Sequence, residues 1–221
     1  MSKSEATRQR IVDAALELFA EHGYDKTTMR MVAERAGCAL GLIYRYFKSR
    51  EALALELYAR VAVQDDARQA DLLGRPLAKA FAESVHRRIE DLAPHRSALR
   101  ALASAALDRD GPLSLLGEHT APMRDAVIAS FTSLVRAAPD APPGDAERTG
   151  RALFVLQLFL VLAWLQDPSP HARHSHALVD TVADTLQLMV PMLALAGPLL
   201  ARYDDILQAF IAPPPPPLAT K

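Results

Sequence analysis

The chain has 221 residues, half of them apolar, which is enough to bury a substantial core in one large or two smaller domains. The formal charge of −1 is unevenly divided: residues 1–50 carry nine Lys/Arg against six Asp/Glu and residues 51–221 carry sixteen against twenty, so a net +3 head joins a net −4 body. The single cysteine, Cys38, excludes an internal disulfide framework and a cysteine-pair metal site; it fits a packing role in a reducing compartment.

The first residues contain no apolar stretch of the kind that directs export, so a cytoplasmic protein is expected. Apolar residues then recur with a period of 3.6 almost throughout, which predicts an all-α fold. Ile11, Ala15, Leu18 and Phe19 share one face of a helix over about 5–22, ended by Gly23. Thr27 can cap a second helix reaching 36, with Gly37 as the turn, and a third covers about 39–45. Ser49 can cap a long helix over about 50–72, with Glu51 well placed in its first turn.

Pro76 suits the first position of a helix to 92, Pro94 separates that from a helix to 107, and Asp110-Gly111-Pro112 marks a loop. Helical spacing returns over about 118–137, 145–166, 173–195 and 198–210. Leu153 to Leu165 holds thirteen residues of which only Gln157 is polar. That run is shorter than the roughly 18 apolar residues a membrane span needs, so no membrane association is expected. The apolar helices over 145–166 and 173–195 are instead the expected association surface between two subunits. Pro213 to Pro217 preclude further helix, and 212–221 is expected to be a disordered tail.

The second and third helices have the form of a helix-turn-helix, whose second helix must pack with one face and leave the other free for a DNA groove. Ile43 and Phe47 match an inner face with Val32, Ala36, Leu18 and Phe19, while Leu40, Gly41, Tyr44 and Arg45 fall on the other side. A helical hairpin of no special role would explain the apolar spacing, but not the outward Tyr44, Arg45, Tyr46 and Lys48.

The run from Arg10 to Leu55 resembles the tetracycline-repressor (TetR) family. The likeness is carried by Ala14-Ala15-Leu16-Glu17-Leu18-Phe19, Gly23-Tyr24, Thr27-Thr28, Ala33-Glu34-Arg35-Ala36-Gly37, Ile43-Tyr44-Arg45-Tyr46-Phe47 and Lys48-Ser49-Arg50-Glu51-Ala52-Leu53. It implies a DNA-binding head over 1–50 and a ligand-binding and dimerisation domain over 51–211, with 51–72 as the connecting helix. It further implies a homodimeric regulator, usually a repressor, that leaves a palindromic double-stranded operator when a small molecule enters the C-terminal domain. Such a protein is no enzyme and needs no cofactor.

Residue chemistry assigns the roles in that head. Thr28, Tyr44, Lys48 and Arg50 are expected to hold backbone phosphates. Arg30 matches a family position that reaches a base and suits bidentate contact with guanine; Arg45 either reads a base or holds phosphate, and Tyr46 packs on the backbone. Ala39 stands where the family often has a capping side chain, and Leu40 where polar ones are common. A thymine preference opposite Leu40 and a guanine opposite Arg30 are therefore expected.

In the body, His86, His119, Met123, Phe131, Phe154, Gln157 and Trp164, with His95, are the aromatic, soft or polar residues of the apolar stretches. They are the candidates for an apolar effector pocket. His171, His174 and His176 lack a carboxylate or cysteine partner in sequence and are read as solvated rather than metal-binding. The fourth helix is the expected lever between ligand and DNA. Two other readings remain open. One is a DNA-binding protein that is ligand-independent or controlled by a partner; the other is an all-α enzyme or lipid carrier, which no nucleophile, metal spacing or phosphate loop supports.

Overall fold

The computed structural model describes residues 2–66, 70–142, 144–193 and 197–211, and among these every regular element is helical. The expected tail over 212–221 lies outside the described residues. Helix α1 (Lys3–His22) begins at Ser2, whose hydroxyl accepts from the Glu5 N–H, and stops at Gly23, whose φ of 84° a side chain would resist. Helices α2 (Met29–Arg35) and α3 (Leu40–Tyr46) flank Gly37, also at positive φ.

Thr28, not Thr27, caps α2, accepting from the Met31 N–H at 3.2 Å. Thr27 is buried, and its hydroxyl donates to the carbonyls of Leu18 and Gly23, which fixes the α1–α2 turn. Either threonine could cap by its chemistry. The carbonyls left over at the end of α1 decide between them.

Helix α4 (Arg50–Asp66) starts under Ser49, which accepts from the Ala52 N–H; of the rest of the expected 50–72, residues 67–69 lie outside the described residues and Ala70–Leu72 forms a 3-10 turn. Helix α5 (Leu77–Leu92) follows Pro76, which sits at the capping position rather than inside the first turn. Its first amide, on Leu77, donates to Asp140 Oδ1 at 2.8 Å, so a side chain 63 residues away does the capping that proline cannot. Then come α6 (Arg96–Leu107), α7 (Ala121–Ala137), α8 (Ala146–Gln166), α9 (Arg173–Leu193) and α10 (Gly197–Ile211).

The body is organised around α7 and α8, which pack along their length. Their close approach depends on Gly150: a Cβ there would lie 2.5 Å from Thr132 Oγ1 and 2.9 Å from its amide nitrogen. Phe81 and Phe131, 5.7 Å apart, join α5 to α7 in the core. Trp164 is buried beneath the Arg96 guanidinium, which also donates to the carbonyls of Trp164 and Asp167 and so satisfies the end of α8. The α8–α9 corner is fastened by Asp167, whose carboxylate accepts from the Ser169 and Ser175 amides and the Ser175 hydroxyl. Those bonds hold the corner while His171 and Ala172 take positive φ, a conformation unfavourable for both.

Helix α8 is longer than its apolar run and, by length and composition, is long and apolar enough to cross a membrane. It nonetheless lies against α7, with Arg151 in bidentate contact with Asp204 of α10 at 2.7 Å for each bond. Only 39% of its most apolar stretch is buried, which leaves apolar surface to be covered. Phe159 on α8, Leu188, Met189 and Met192 on α9, and Tyr203, Ile206 and Phe210 on α10 are exposed.

Candidate nucleic-acid interface and internal cavity

Helix α3 buries Ile43 completely, with Phe47 beside it, and turns Leu40, Gly41, Tyr44 and Arg45 outward. A Cβ at Gly41 would meet nothing within 4 Å, so the glycine leaves a bare strip of helix that a groove wall can approach closely. Ala39 occupies the capping position with no side-chain bond. The first turn closes on its carbonyl alone, through the amides of Leu42 at 2.9 Å and Ile43 at 3.4 Å. Tyr46 is half-buried and its hydroxyl pairs with Ser4, so it serves the scaffold of the head.

Thr28, Arg30, Arg45 and Lys48 are exposed around this face. Arg30 meets only Glu34, one turn on, at 3.3 Å and in the open, an interaction weak enough to be exchanged for a base or phosphate. Arg50 is used differently from the sequence expectation. Its Nη1 donates to the carbonyls of Tyr24 and Asp25 at 2.9 Å and of Thr27 at 3.3 Å, and its guanidinium lies 4.1 Å from the centre of the Tyr24 ring. Through Nη1 it holds the α1–α2 turn together. Tyr24 in turn donates to Glu51; burial, then that bond, push its phenol up to about 12.

Two further arginines, unremarked in the sequence, brace the head. Arg35 of α2 reaches Glu17 and Glu21 of α1, and those carboxylates raise its pKa. Arg8 forks onto Glu56 of α4 and lies over the Phe47 ring at 5.2 Å. Basic residues in a head like this draw attention as DNA contacts, so charge alone could not reveal them as struts.

Behind the head, α6 packs on α1 and also lines a cavity of about 160 Å³ in the body. Tyr58 of α4, Leu99, Ala103 and Ala106 of α6, Met123 and Val127 of α7, and Phe154, Leu158, Val161 and Leu162 of α8 form its largely apolar wall. The polar groups are Arg88, Thr120, Arg124 and Gln157.

Of the sequence candidates, Met123, Phe154 and Gln157 line this cavity. His86, His119, Phe131 and Trp164 do not. Phe131 and Trp164 belong to the solid core, and His119 is exposed. His86 stacks on His176 with Nδ1 atoms 2.7 Å apart and meets Asp180 through Nε2, joining α5 to α9, so His176 is not the solvated residue it was expected to be. His171 and His174 are exposed. No group of His, Cys, Asp or Glu suited to a metal ion occurs among the described residues.

Residues 11–57 match the family model described as bacterial regulatory proteins, tetR family. The chain is 44% identical over 68 residues to the HTH-type transcriptional repressor KstR of Rhodococcus jostii, covering 31% of this chain and 32% of that protein. It is 38% identical over 58 residues to the fatty acid metabolism regulator protein of Bacillus subtilis, covering 26% and 30%. The matched part thus spans about a third of the length of these curated relatives. In overall structure the chain is similar to a putative TetR-family transcriptional regulator from Syntrophomonas wolfei, with a TM-score of 0.69 at 17% identity over 84% of this chain and 97% of that one. It is also similar to the regulator FadR from Bacillus subtilis in complex with stearoyl-CoA, with a TM-score of 0.62 at 17% identity over 82% and 96%.

Proposed function

We propose that this chain, which belongs to the TetR family of bacterial regulatory proteins, is a cytoplasmic homodimeric repressor released from a palindromic operator by a small, largely apolar ligand. The observation that carries the reading is the outward face of α3. Leu40, Gly41, Tyr44 and Arg45 stand clear of the core on a helix whose other face is buried, ringed by exposed Thr28, Arg30 and Lys48. That face suits a major groove, with Arg30 and Arg45 able to reach base edges and Thr28, Tyr44 and Lys48 the backbone.

A single head of this size makes few contacts, and two related by a dyad make a stable reader of half-sites about one helical turn apart. The exposed apolar residues Phe159, Leu188, Met189 and Met192 support pairing through α8 and α9. Helix α10 extends that surface with Tyr203, Ile206 and Phe210, a contribution the expected surface over 145–166 and 173–195 did not include.

Control by ligand is supported by the cavity and by the route out of it. Helices α4 and α6 both contribute to its wall and both pack on α1, so a molecule that displaced either would alter the seating of the head. The lever is accordingly shared between α4 and α6. The solved FadR carries stearoyl-CoA, so a protein of this fold can hold an acyl compound. The cavity also favours ligand control over a DNA binder governed only by a protein partner.

The test is footprinting of the full chain on its own upstream DNA with and without a metabolite panel. A protected inverted repeat lost on adding a compound is the expected result. Protection that no compound alters would leave a DNA binder without effector control, and no protected repeat would count against autoregulation. Selection from randomised sites should show guanine opposite Arg30 and thymine opposite Leu40.

A further inference from the structure

Two polar side chains on the cavity wall are buried without the partners their chemistry requires. Gln157, on α8, is 6% exposed, and its Oε1 meets no hydrogen-bond donor. Arg124, on α7, is 8% exposed. It donates from Nη1 to the Gly117 carbonyl at 3.2 Å, its Nε has no hydrogen bond, and its nearest carboxylate, Asp125, lies 3.6 Å away with a largely exposed side chain. Leaving an amide and a guanidinium in this state costs stability, the more so beside apolar walls. Such a cost is offset when a ligand pairs with the guanidinium and with the Gln157 amide, which can turn to offer Nε2 in place of Oε1.

The remaining wall says what kind of ligand. The cavity of about 160 Å³ is close to the roughly 150 Å³ of an engineered apolar cavity that accepts benzene, so the body of the ligand is a single ring or a chain of comparable size. A long acyl chain is larger than that volume. Tyr58 also lines the cavity, and burial pushes its phenol up to about 12, so at neutral pH it remains a donor. Arg88, buried on α5, lines the same wall. Donors and positive charge on an otherwise apolar wall favour an acceptor-rich anion.

We propose that the effector is a small monocarboxylate with an apolar body of about ring size, its carboxylate held by Arg124 and by Gln157 with the amide turned to present Nε2. This rests on the ligand-controlled reading above and specifies the ligand class. An alcohol could satisfy Gln157 Oε1 but would leave Arg124 with only the Asp125 carboxylate, 3.6 Å away, whereas a carboxylate forms a charge-assisted bond to it.

The experiment is calorimetric titration of the full-length protein with benzoate, hexanoate, benzyl alcohol, hexan-1-ol and palmitate, repeated on Gln157→Glu and Arg124→Gln. One or both small acids should bind at least tenfold more tightly than the matched alcohol, with palmitate weaker than hexanoate. Gln157→Glu places a second negative charge at the head and should cost the acids at least tenfold while leaving the alcohols within about threefold. Arg124→Gln should erase the acid preference, and if it fails to fold, Gln157→Glu decides alone. Alcohols binding as well as acids, palmitate binding best, no small acid binding at all, or an unchanged acid preference in Gln157→Glu would each overturn the proposal. Footprinting separates the two readings: if neutral compounds release the operator, ligand control stands and only the carboxylate falls. If acids bind but leave the DNA contact unchanged, the site stands and effector control falls.

Discussion

The head and the body both use arginines as struts, the body through Arg96 and Arg151, yet the body also keeps one beside its cavity with weaker pairing. In the head, Arg8, Arg35 and Arg50 are tied to carboxylates or carbonyls of neighbouring elements, and the face left for DNA is set on a braced scaffold. In the body, Arg124 is buried beside an apolar cavity with its nearest carboxylate 3.6 Å away, and Gln157 on the same wall has an unsatisfied Oε1. The first region is complete before it meets its partner. The second holds unmet bonding capacity that a partner can satisfy. A reader that must keep one shape and a sensor that must change shape are expected to differ in this way.

Substitutions can break or sharpen that contrast, beginning with the most severe. Asp204→Ala would strip the buried Arg151 of its bidentate partner, both side chains being about one-tenth exposed, and should cost about 3–5 kcal/mol in urea unfolding at fixed protein concentration. The head's operator-binding face would be intact in whatever fraction stays folded. Gly150→Ala drives a methyl into Thr132 and should cost about 1–3 kcal/mol by the same measurement, because α7 and α8 must part.

Gly41→Leu should do the reverse: its Cβ has open space and leucine is the better helix former, so stability holds or rises by up to about 1 kcal/mol. Operator affinity measured by gel shift should meanwhile fall at least tenfold. A Gly41→Leu protein that binds normally would show that α3 does not enter the groove. Ala39→Ser restores a capping oxygen and should add about 1 kcal/mol, again without touching the cavity.

The smallest effect concerns acid. Bonds from the Ser175 hydroxyl and then the Ser169 side chain, with the amides of both residues, hold the Asp167 carboxyl well below its ordinary 3.8. A carboxyl depressed in the folded state contributes stability that is present above the unfolded value and lost as pH falls through the folded one. The stability gap between the wild-type protein and Asp167→Asn should therefore be flat from neutral pH to about pH 5 and narrow only below about pH 4.

What could be read in advance follows the same division. In the head, Gly23, Gly37 and Ala39 mark boundaries by local conformational rules, and the helices lie where the spacing puts them. What was missed there is of long range: Thr27, expected as a cap, and the Nη1 of Arg50 answer to carbonyls that only the folded turn brings near. In the body, the helix spans were legible from periodicity and prolines, but which side chains face the cavity was not. The candidates were chosen for being aromatic, soft or polar, whereas the wall is mostly aliphatic and its charges are arginines that sequence habit assigns to the surface. The pairing of His86 with His176, ninety residues on, has no local signal at all.

The internal use of Arg50 also bears on how the protein responds to its medium. Each phosphate neutralised on binding releases condensed counterions, so the number of available cations sets how steeply affinity falls with salt. With Arg50 withdrawn, Arg30, Arg45 and Lys48 remain on the presented face of each head. A dimer placing all of them on phosphates would lose operator affinity with a log–log slope of about −5, against about −7 had Arg50 joined them, and one that turns Arg30 and Arg45 to base edges would keep a slope of about −2 from these residues. A strut that stays in place on binding would thereby make the head's grip on DNA less sensitive to changes in cell salt.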